Sequence, residues 1–395
     1  MLKYYLDNSI EKFIDKFLSK NKYGEIEVNF PSGKTSIYQG IRKGYKSHIK
    51  INNYRFFKKL LKKGSVGFAE SYMDKDFESK NLSNLLLFAH QNELSYLKKR
   101  NAKWIYNFFI KLGHYLNQNT KKGSKKNISS HYDLGNNFYK HWLDESMTYS
   151  SALFKNDQDD LNKAQLNKYI GIAEPLHLSE SSKLLEIGCG WGGFSTFVAK
   201  RYGTKVKAIT ISEEQYNFAS DKISKEGLNE KITLEMRDYR DIQDKYTNIV
   251  SIEMFEAVGK EYWLQFFEKI KNSLNDNGLA AMQIITIDET KANYYQNNPD
   301  FIQQYIFPGG VLPSKNQLIN ITKLIGLKFN EYKSFNTSYA KTLEIWNKRF
   351  QDSWNNISEQ GFSLRFKRMW EYYFCYCQAG FVSGSTDVSQ FLLKK

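Results

Sequence analysis

Apolar positions follow two rhythms, one on either side of a polar, basic break, NQNTKKGSKKNISS, at residues 117–130. After the break, short apolar runs (LLEIG, VKAITI, KITLEM, IVSIEM and LAAMQIITI) alternate with stretches of helical period (GGFSTFVAKRY, EEQYNFASDKI and YWLQFFEKIKNSL). Repeated strand-then-helix units build a parallel sheet covered by helices on both faces. A doubly wound, Rossmann-like α/β fold is therefore predicted over 126–395. Before the break, Leu6, Ile10, Phe13, Ile14 and Phe17 recur at helical spacing. GEIEVNFPSGKTSIYQG alternates as a β-hairpin turning at Pro31-Ser32-Gly33, and NYRFFKKLLKKG and SNLLLFAHQNELSYLKK are helical in period. A small α+β domain over 1–125 is predicted there, with 117–130 as a linker or mobile loop.

Charge sharpens this division. Residues 1–130 hold 26 Lys and Arg against 10 Asp and Glu, so the first third carries all of the formal net charge of +15. A fold needs no such asymmetry. It points to a polyanionic partner, either an anionic membrane leaflet or nucleic acid, with lysines that are merely solvated as the plainer account. The longest apolar stretches, such as LLLFA at 85–89, fall far short of the ~18 residues of a membrane span. The N-terminus, with acidic residues among its apolar ones, does not read as a signal peptide. Three cysteines, Cys189, Cys375 and Cys377, are too few for a disulfide framework and fit a reducing cytosol. Cys375 and Cys377 lack a second ligand pair for zinc and are read as packing.

Chemistry enters at KLLEIGCGWGGFSTFVAKRYG, 183–203, where Gly188, Gly190, Gly192 and Gly193 join a strand to a helix. Glycines there permit a tight turn and let a ligand lie against main-chain N–H groups. Dinucleotide sites use a similar loop. The acidic Glu186 and the compressed E-x-G-x-G-x-G spacing favour S-adenosylmethionine, whose cationic sulfonium needs neutral or acidic surroundings. Asp238, after KITLEM, is placed to meet an adenine amino group or simply to form a surface turn.

These motifs resemble the cyclopropane-fatty-acyl-phospholipid synthases and the related mycolic-acid cyclopropane synthases. The resemblance is carried by HYDLGNNFYKHWLDESMTYSSALF at 131–154, LLEIGCGWGGF at 184–194, AITISEEQ at 208–215, IVSIEMFEAVG at 249–259 and YIFPGGVLPS at 305–314. SYAKTLEIWNKRF at 338–350 and YYFCYCQAGF at 372–381 extend it almost to the C-terminus. It implies a methyltransferase sheet preceded by a basic domain that meets an anionic membrane surface from the cytoplasmic side. The implied reaction moves a one-carbon unit from S-adenosylmethionine to the cis double bond of an unsaturated phospholipid acyl chain. The oligomeric state stays open, a homodimer included.

Residue by residue, the resemblance implies cofactor contacts from Tyr149, Gly188, Gly190, Thr210, Gln215 and Asp238. It further implies a bicarbonate ion as the base, held by Glu256, Tyr339 and the backbone of Ser151 and Ile285. Gln283 stands where the best-known bacterial members have the histidine of that ion site, and Ser151 where they have a cysteine. Glutamine cannot carry a proton, and with it the sequence is similar to a branch that includes ring-forming enzymes and enzymes giving methyl-branched or methylene chains. Glu253 is expected only to support Glu256, or to be solvated or to cap a helix. An alkene is a poor nucleophile, so the reaction also needs a dry pocket with aromatic walls. Two other classes are weighed. A nucleic-acid methyltransferase would use the basic third, but neither an N/D-P-P-Y-type nor a Pro-Cys motif is found. A non-catalytic lipid- or cofactor-binding protein is the third reading.

Overall fold

The computed structural model of the chain describes residues 2–93 and 134–395. The expected linker at 117–130, the boundary at 125/126 and the first residues of the HYDLGNNF motif lie outside the described residues. Two compact units are found, one drawn from Met1–Gly113, Asn298–Phe301 and Trp354–Ser383, the other from His114–Asn297, Ile302–Ser353 and Gly384–Lys395.

The first unit starts with α1 (Leu2–Leu18), β1 (Tyr23–Asn29), β2 (Thr35–Gln39) and β3 (Arg42–Ile51), and continues through α2 (Arg55–Lys63), α3 (Ser65–Met73), β4 (Phe77–Glu78) and α4 (Leu82–Gln91). The hairpin between β1 and β2 turns where the alternation breaks. Phe30 N–H donates to the Lys34 carbonyl at 2.8 Å, and Gly33 adopts φ +90°. The sheet order is β2-β1-β3-β4. A helix from far down the chain, Leu364–Val382, completes the core of this unit: Tyr372 packs against Phe68 and Tyr72, and Arg365 pairs with Asp74 at 2.8 Å. Sequence distance hides that helix from any contiguous division of the chain. Part of the basic charge is neutralised internally, with Lys59 on Asp74 and Asp76 and Lys63 on Glu70. Lys58 and Lys62 stay exposed beside Leu61 (62% exposed), and Ile41 (96%) stands beside the exposed Arg42 and Lys43.

The second unit is the expected doubly wound α/β fold. Helices α5 (Asn136–Lys140) and α6 (Leu161–Ala173) precede β5 (Lys183–Ile187), α7 (Gly193–Tyr202), β6 (Lys205–Thr210), α8 (Glu213–Lys225), β7 (Ile232–Met236) and β8 (Tyr246–Ile252). Then follow α9 (Trp263–Ser273), β9 (Leu274–Ile287), α10 (Glu289–Asn297), α11 (Lys315–Leu324), β10 (Lys328–Ser334), α12 (Asn336–Asp352) and β11 (Thr386–Lys394). The strand order β10-β11-β9-β8-β5-β6-β7 is parallel from β9 to β7, with β11 antiparallel to both β9 and β10. Side chains alternate between faces, and both faces are apolar. Leu185, Ile187, Ile249 and Met282 join one core cluster, whereas Leu184, Val250 and Ala281 join the other. This explains why the strands read as continuous apolar runs.

The chain order reverses between β5 and β8, so their carboxyl ends open the crevice where ligands bind in such sheets. Phe255, wholly buried just past β8, packs on Trp263, Phe266 and Phe267 of α9. It thereby anchors the turn carrying Glu253 and Glu256. Phe255→Ala is expected to destabilise the fold by about 3–5 kcal/mol; a denaturant titration showing a loss below ~1 kcal/mol would contradict this packing role.

Candidate active site

The glycine loop is built for close approach to the backbone. Gly188, Gly190 and Gly192 have φ of +79°, +53° and +79°, and Gly188 and Cys189 N–H both donate to the Ile209 carbonyl at 3.0 Å. At Gly188 an added Cβ would meet Met254 Cγ at 2.6 Å, so the loop after β5 abuts the turn after β8. At Gly190 an added Cβ would meet nothing within 4 Å. The loop thus leaves room over Gly190 for a ligand lying on main chain, the fit S-adenosylmethionine requires. Glu186 is buried with Ser195 Oγ donating to it, and burial pushes its carboxyl up to about 7. Thr210 Oγ1 donates to Gln215 Oε1 at 3.0 Å, so this buried pair is preorganised at the end of β6. Asp238 sits just past β7 and accepts from Arg240 N at 2.9 Å, Nε at 2.8 Å and Nη2 at 2.7 Å. Its carboxylate therefore caps a turn and anchors an arginine.

The two glutamates of the β8 turn have unequal surroundings. Glu253 Oε1 accepts from Ser151 N–H at 2.8 Å and Gln283 Nε2 at 2.7 Å, and its Oε2 accepts from the Tyr339 hydroxyl at 2.6 Å. Glu256 Oε1 accepts from Ile285 N–H at 2.6 Å, while Oε2 is buried with no hydrogen-bond partner among the described residues. Burial, then the charge of Glu253, pushes Glu256 up to about 8. Burial also raises Glu253, opposed by the hydrogen bonds from Tyr339, Gln283 and Ser151.

The residues expected to ring a bicarbonate ion do converge, but three of them converge on Glu253. A carboxylate presents the same two-oxygen face as bicarbonate, and it fills the seat formed by Ser151, Gln283 and Tyr339. In this structure those three donors serve the Glu253 carboxylate, and Ile285 N–H serves Glu256. Glu253 itself is neither freely solvated nor a helix cap, since its carboxylate accepts from Ser151, Gln283 and Tyr339.

Several positioning groups were not singled out from the sequence. Gln390 on β11 donates to Gln283 Oε1 at 3.1 Å, which leaves the Gln283 amide nitrogen to face Glu253. Ser338 and Thr342 on α12 accept from Phe154 N–H and Ala152 N–H, pinning the extended segment that carries Ser151. Lys168 is fully buried and donates to Ser150 Oγ at 2.8 Å. Burial depresses its ammonium to about 8, against the charges of Glu253, Asp144 and Glu186. Their helical and strand periods mark all of these as core positions.

Tyr149 is half-buried in an aromatic cluster, with ring centroids 5.6 Å from Tyr139, 5.3 Å from Trp142, 5.4 Å from Trp346 and 6.3 Å from Phe307. Trp346 also lies 6.3 Å from Tyr339, so aromatic walls run up to the carboxylate pair. The arrangement offers a cofactor loop, an aromatic cluster and two half-buried carboxyls with different hydrogen-bond partners.

A family model described as mycolic acid cyclopropane synthetase matches residues 119–391, and one described as a domain of unknown function matches 13–101. The chain is 35% identical over 337 residues to a cyclopropane-fatty-acyl-phospholipid synthase of Escherichia coli, covering 84% of each chain. It is 33% identical over 344 residues to a tuberculostearic acid methyltransferase of Mycobacterium tuberculosis, covering 85% of this chain and 80% of that one. A mycolic acid cyclopropane synthase crystallised with SAH and CTAB is similar with a TM-score of 0.63 at 28% identity, over 69% of this chain and 98% of that one.

Gly190→Val is expected to abolish binding of S-adenosylmethionine, because a branched side chain would fill the open space at φ +53°. Unchanged affinity in calorimetry, with the fold intact, would rule out this placement of the cofactor.

Proposed function

The chain belongs to the mycolic acid cyclopropane synthetase family, and on that premise we propose that it transfers a one-carbon unit to the cis double bond of unsaturated phospholipid acyl chains and closes a cyclopropane ring. The observation that carries this reading is the adjacency of three features in one unit: the glycine loop, the aromatic cluster around Tyr149 and the half-buried Glu253–Glu256 pair. S-adenosylmethionine, when bound, supplies the electrophilic methyl group. Gly188 and Gly190 would carry it on main chain, with Thr210, Gln215 and Asp238 on the neighbouring strand ends and Tyr149 facing it from the aromatic cluster. Attack by an alkene leaves a carbocation that water would quench. The walls formed by Tyr139, Trp142, Tyr149 and Trp346 exclude water and offer ring faces worth about 2 kcal/mol or more to a desolvated cation. Bicarbonate, implied by the resemblance, has no free seat among Ser151, Gln283 and Tyr339, and no step is routed through it.

A methyl-branched or methylene product is the second reading, favoured by the similarity to the tuberculostearic acid methyltransferase. Both outcomes share the carbocation and differ in which proton is lost. The exposed Arg42, Lys43, Lys58 and Lys62, interleaved with exposed Ile41 and Leu61, support docking of the first unit on an anionic leaflet. No described helix is long and apolar enough to cross a membrane. Each well-placed Lys or Arg contributes about 1 kcal/mol to such docking, and salt screens it.

The test is turnover of methyl-labelled S-adenosylmethionine with dioleoylphosphatidylglycerol vesicles, followed by proton NMR of the extracted acyl chains. Upfield cyclopropane methylene signals are expected, with turnover falling about tenfold or more as salt rises from roughly 0.05 to 0.5 M. Vinyl or branched-methyl signals alone would replace ring closure by the second reading. Absence of labelled lipid would overturn the function, and salt-independent turnover would overturn the docking.

A further inference from the structure

We infer that Glu253 is the proton acceptor of this enzyme, a carboxylate built into the chain where a dissociable anion would otherwise be required. The inference rests on the C1-transfer reading above and assigns a residue to its last step. A carboxylate has about four lone-pair sites. Ser151 N–H and Gln283 Nε2 take two on Oε1 and the Tyr339 hydroxyl takes one on Oε2, so one site on Oε2 remains to receive a proton.

The backbone speaks for the same role. Glu253 sits at φ +48°, a left-handed conformation that costs an L-residue roughly 1–2 kcal/mol and that glycine adopts freely. Such an outlier persists where its surroundings hold it, and here the holding groups are the three donors to its own side chain. The donors are themselves fixed: Gln283 by Gln390, and the Ser151 segment by Thr342 and Ser338.

Glu256 does not compete for the role. It has one donor from another element where Glu253 has three, so hydrogen bonding favours the charged form more at Glu253 than at Glu256. In the step itself, a C–H bond of the transferred methyl breaks and its electron pair forms the carbon–carbon bond that closes the ring. The proton passes to Glu253 Oε2. Cation and carboxylate become neutral product and neutral acid, and the proton is then released to solvent.

Wild type and two variants of the full chain, each checked for binding of S-adenosylhomocysteine, test this. Wild type should turn over dioleoylphosphatidylglycerol vesicles equally well in bicarbonate-purged and bicarbonate-supplemented buffer. Glu253→Gln should lose about a hundredfold or more in kcat, the usual worth of a positioned general base. Glu253→Gly, which suits the left-handed backbone and empties the seat, should lose as much and recover with added bicarbonate or formate. Independently of turnover, [13C]bicarbonate NMR should show line broadening with Glu253→Gly and none with wild type. Dependence of wild type on bicarbonate, full activity of Glu253→Gln, or a Glu253→Gly variant that binds S-adenosylhomocysteine yet is not rescued would each overturn the assignment. If wild type yields no lipid product at all, the C1-transfer reading falls, while the bicarbonate NMR still decides whether Glu253 fills an anion seat.

Discussion

One half-buried, hydrogen-bonded carboxylate ties the active unit together. Glu253, at the carboxyl end of β8, draws donors from the segment before α6, from β9 and from α12, pieces separated by 102, 30 and 86 positions in the chain. An anion in a low-dielectric crevice must be satisfied or it neutralises itself. The three donors therefore fix the relative positions of the elements that carry them. Because Met254, the next residue, packs on Gly188, the same turn sets the distance between the carboxylate and the cofactor loop.

The surrounding charges follow from that constraint. Lys168 is the buried cation nearest in role, poised by Ser150 and by the fields of Glu253, Asp144 and Glu186. Glu256 and Glu186, each with fewer donors than Glu253, are pushed up by burial to about 8 and about 7. Hydrogen bonding thus favours the charged form most at Glu253, where three donors oppose the effect of burial. That distribution suits a reaction that passes through a cation, with the rings of Tyr139, Tyr149 and Trp346 clustered in the same unit.

Much of this was legible along the chain, and the illegible parts share a cause. The doubly wound sheet follows from apolar runs buried on both faces, and the cofactor loop from glycines that the backbone requires at positive φ. The hairpin in the first unit follows from strict alternation around Gly33. What spacing does not encode is side-chain direction. Glu253 and Glu256 are three positions apart, yet Glu253, at a left-handed φ, directs its carboxylate to Ser151, Gln283 and Tyr339. Lys168 and Gln390 read as core positions because their partners come from other elements. Asp238 stands two residues past β7, and its bond to Arg240, two residues on, depends on the local turn. The helix Leu364–Val382 serves the first unit through Tyr372 and Arg365, a grouping that only tertiary contact reveals.

The most direct measurement of the central claim is a crystal structure of the full chain grown with S-adenosylhomocysteine in bicarbonate-rich buffer. The account predicts the Glu253 carboxylate within hydrogen-bond distance of Ser151 N, Gln283 Nε2 and the Tyr339 hydroxyl, with no ion between them. A bicarbonate ion bridging Tyr339, Gln283 and Glu256, with Glu253 turned out of the seat, would contradict it.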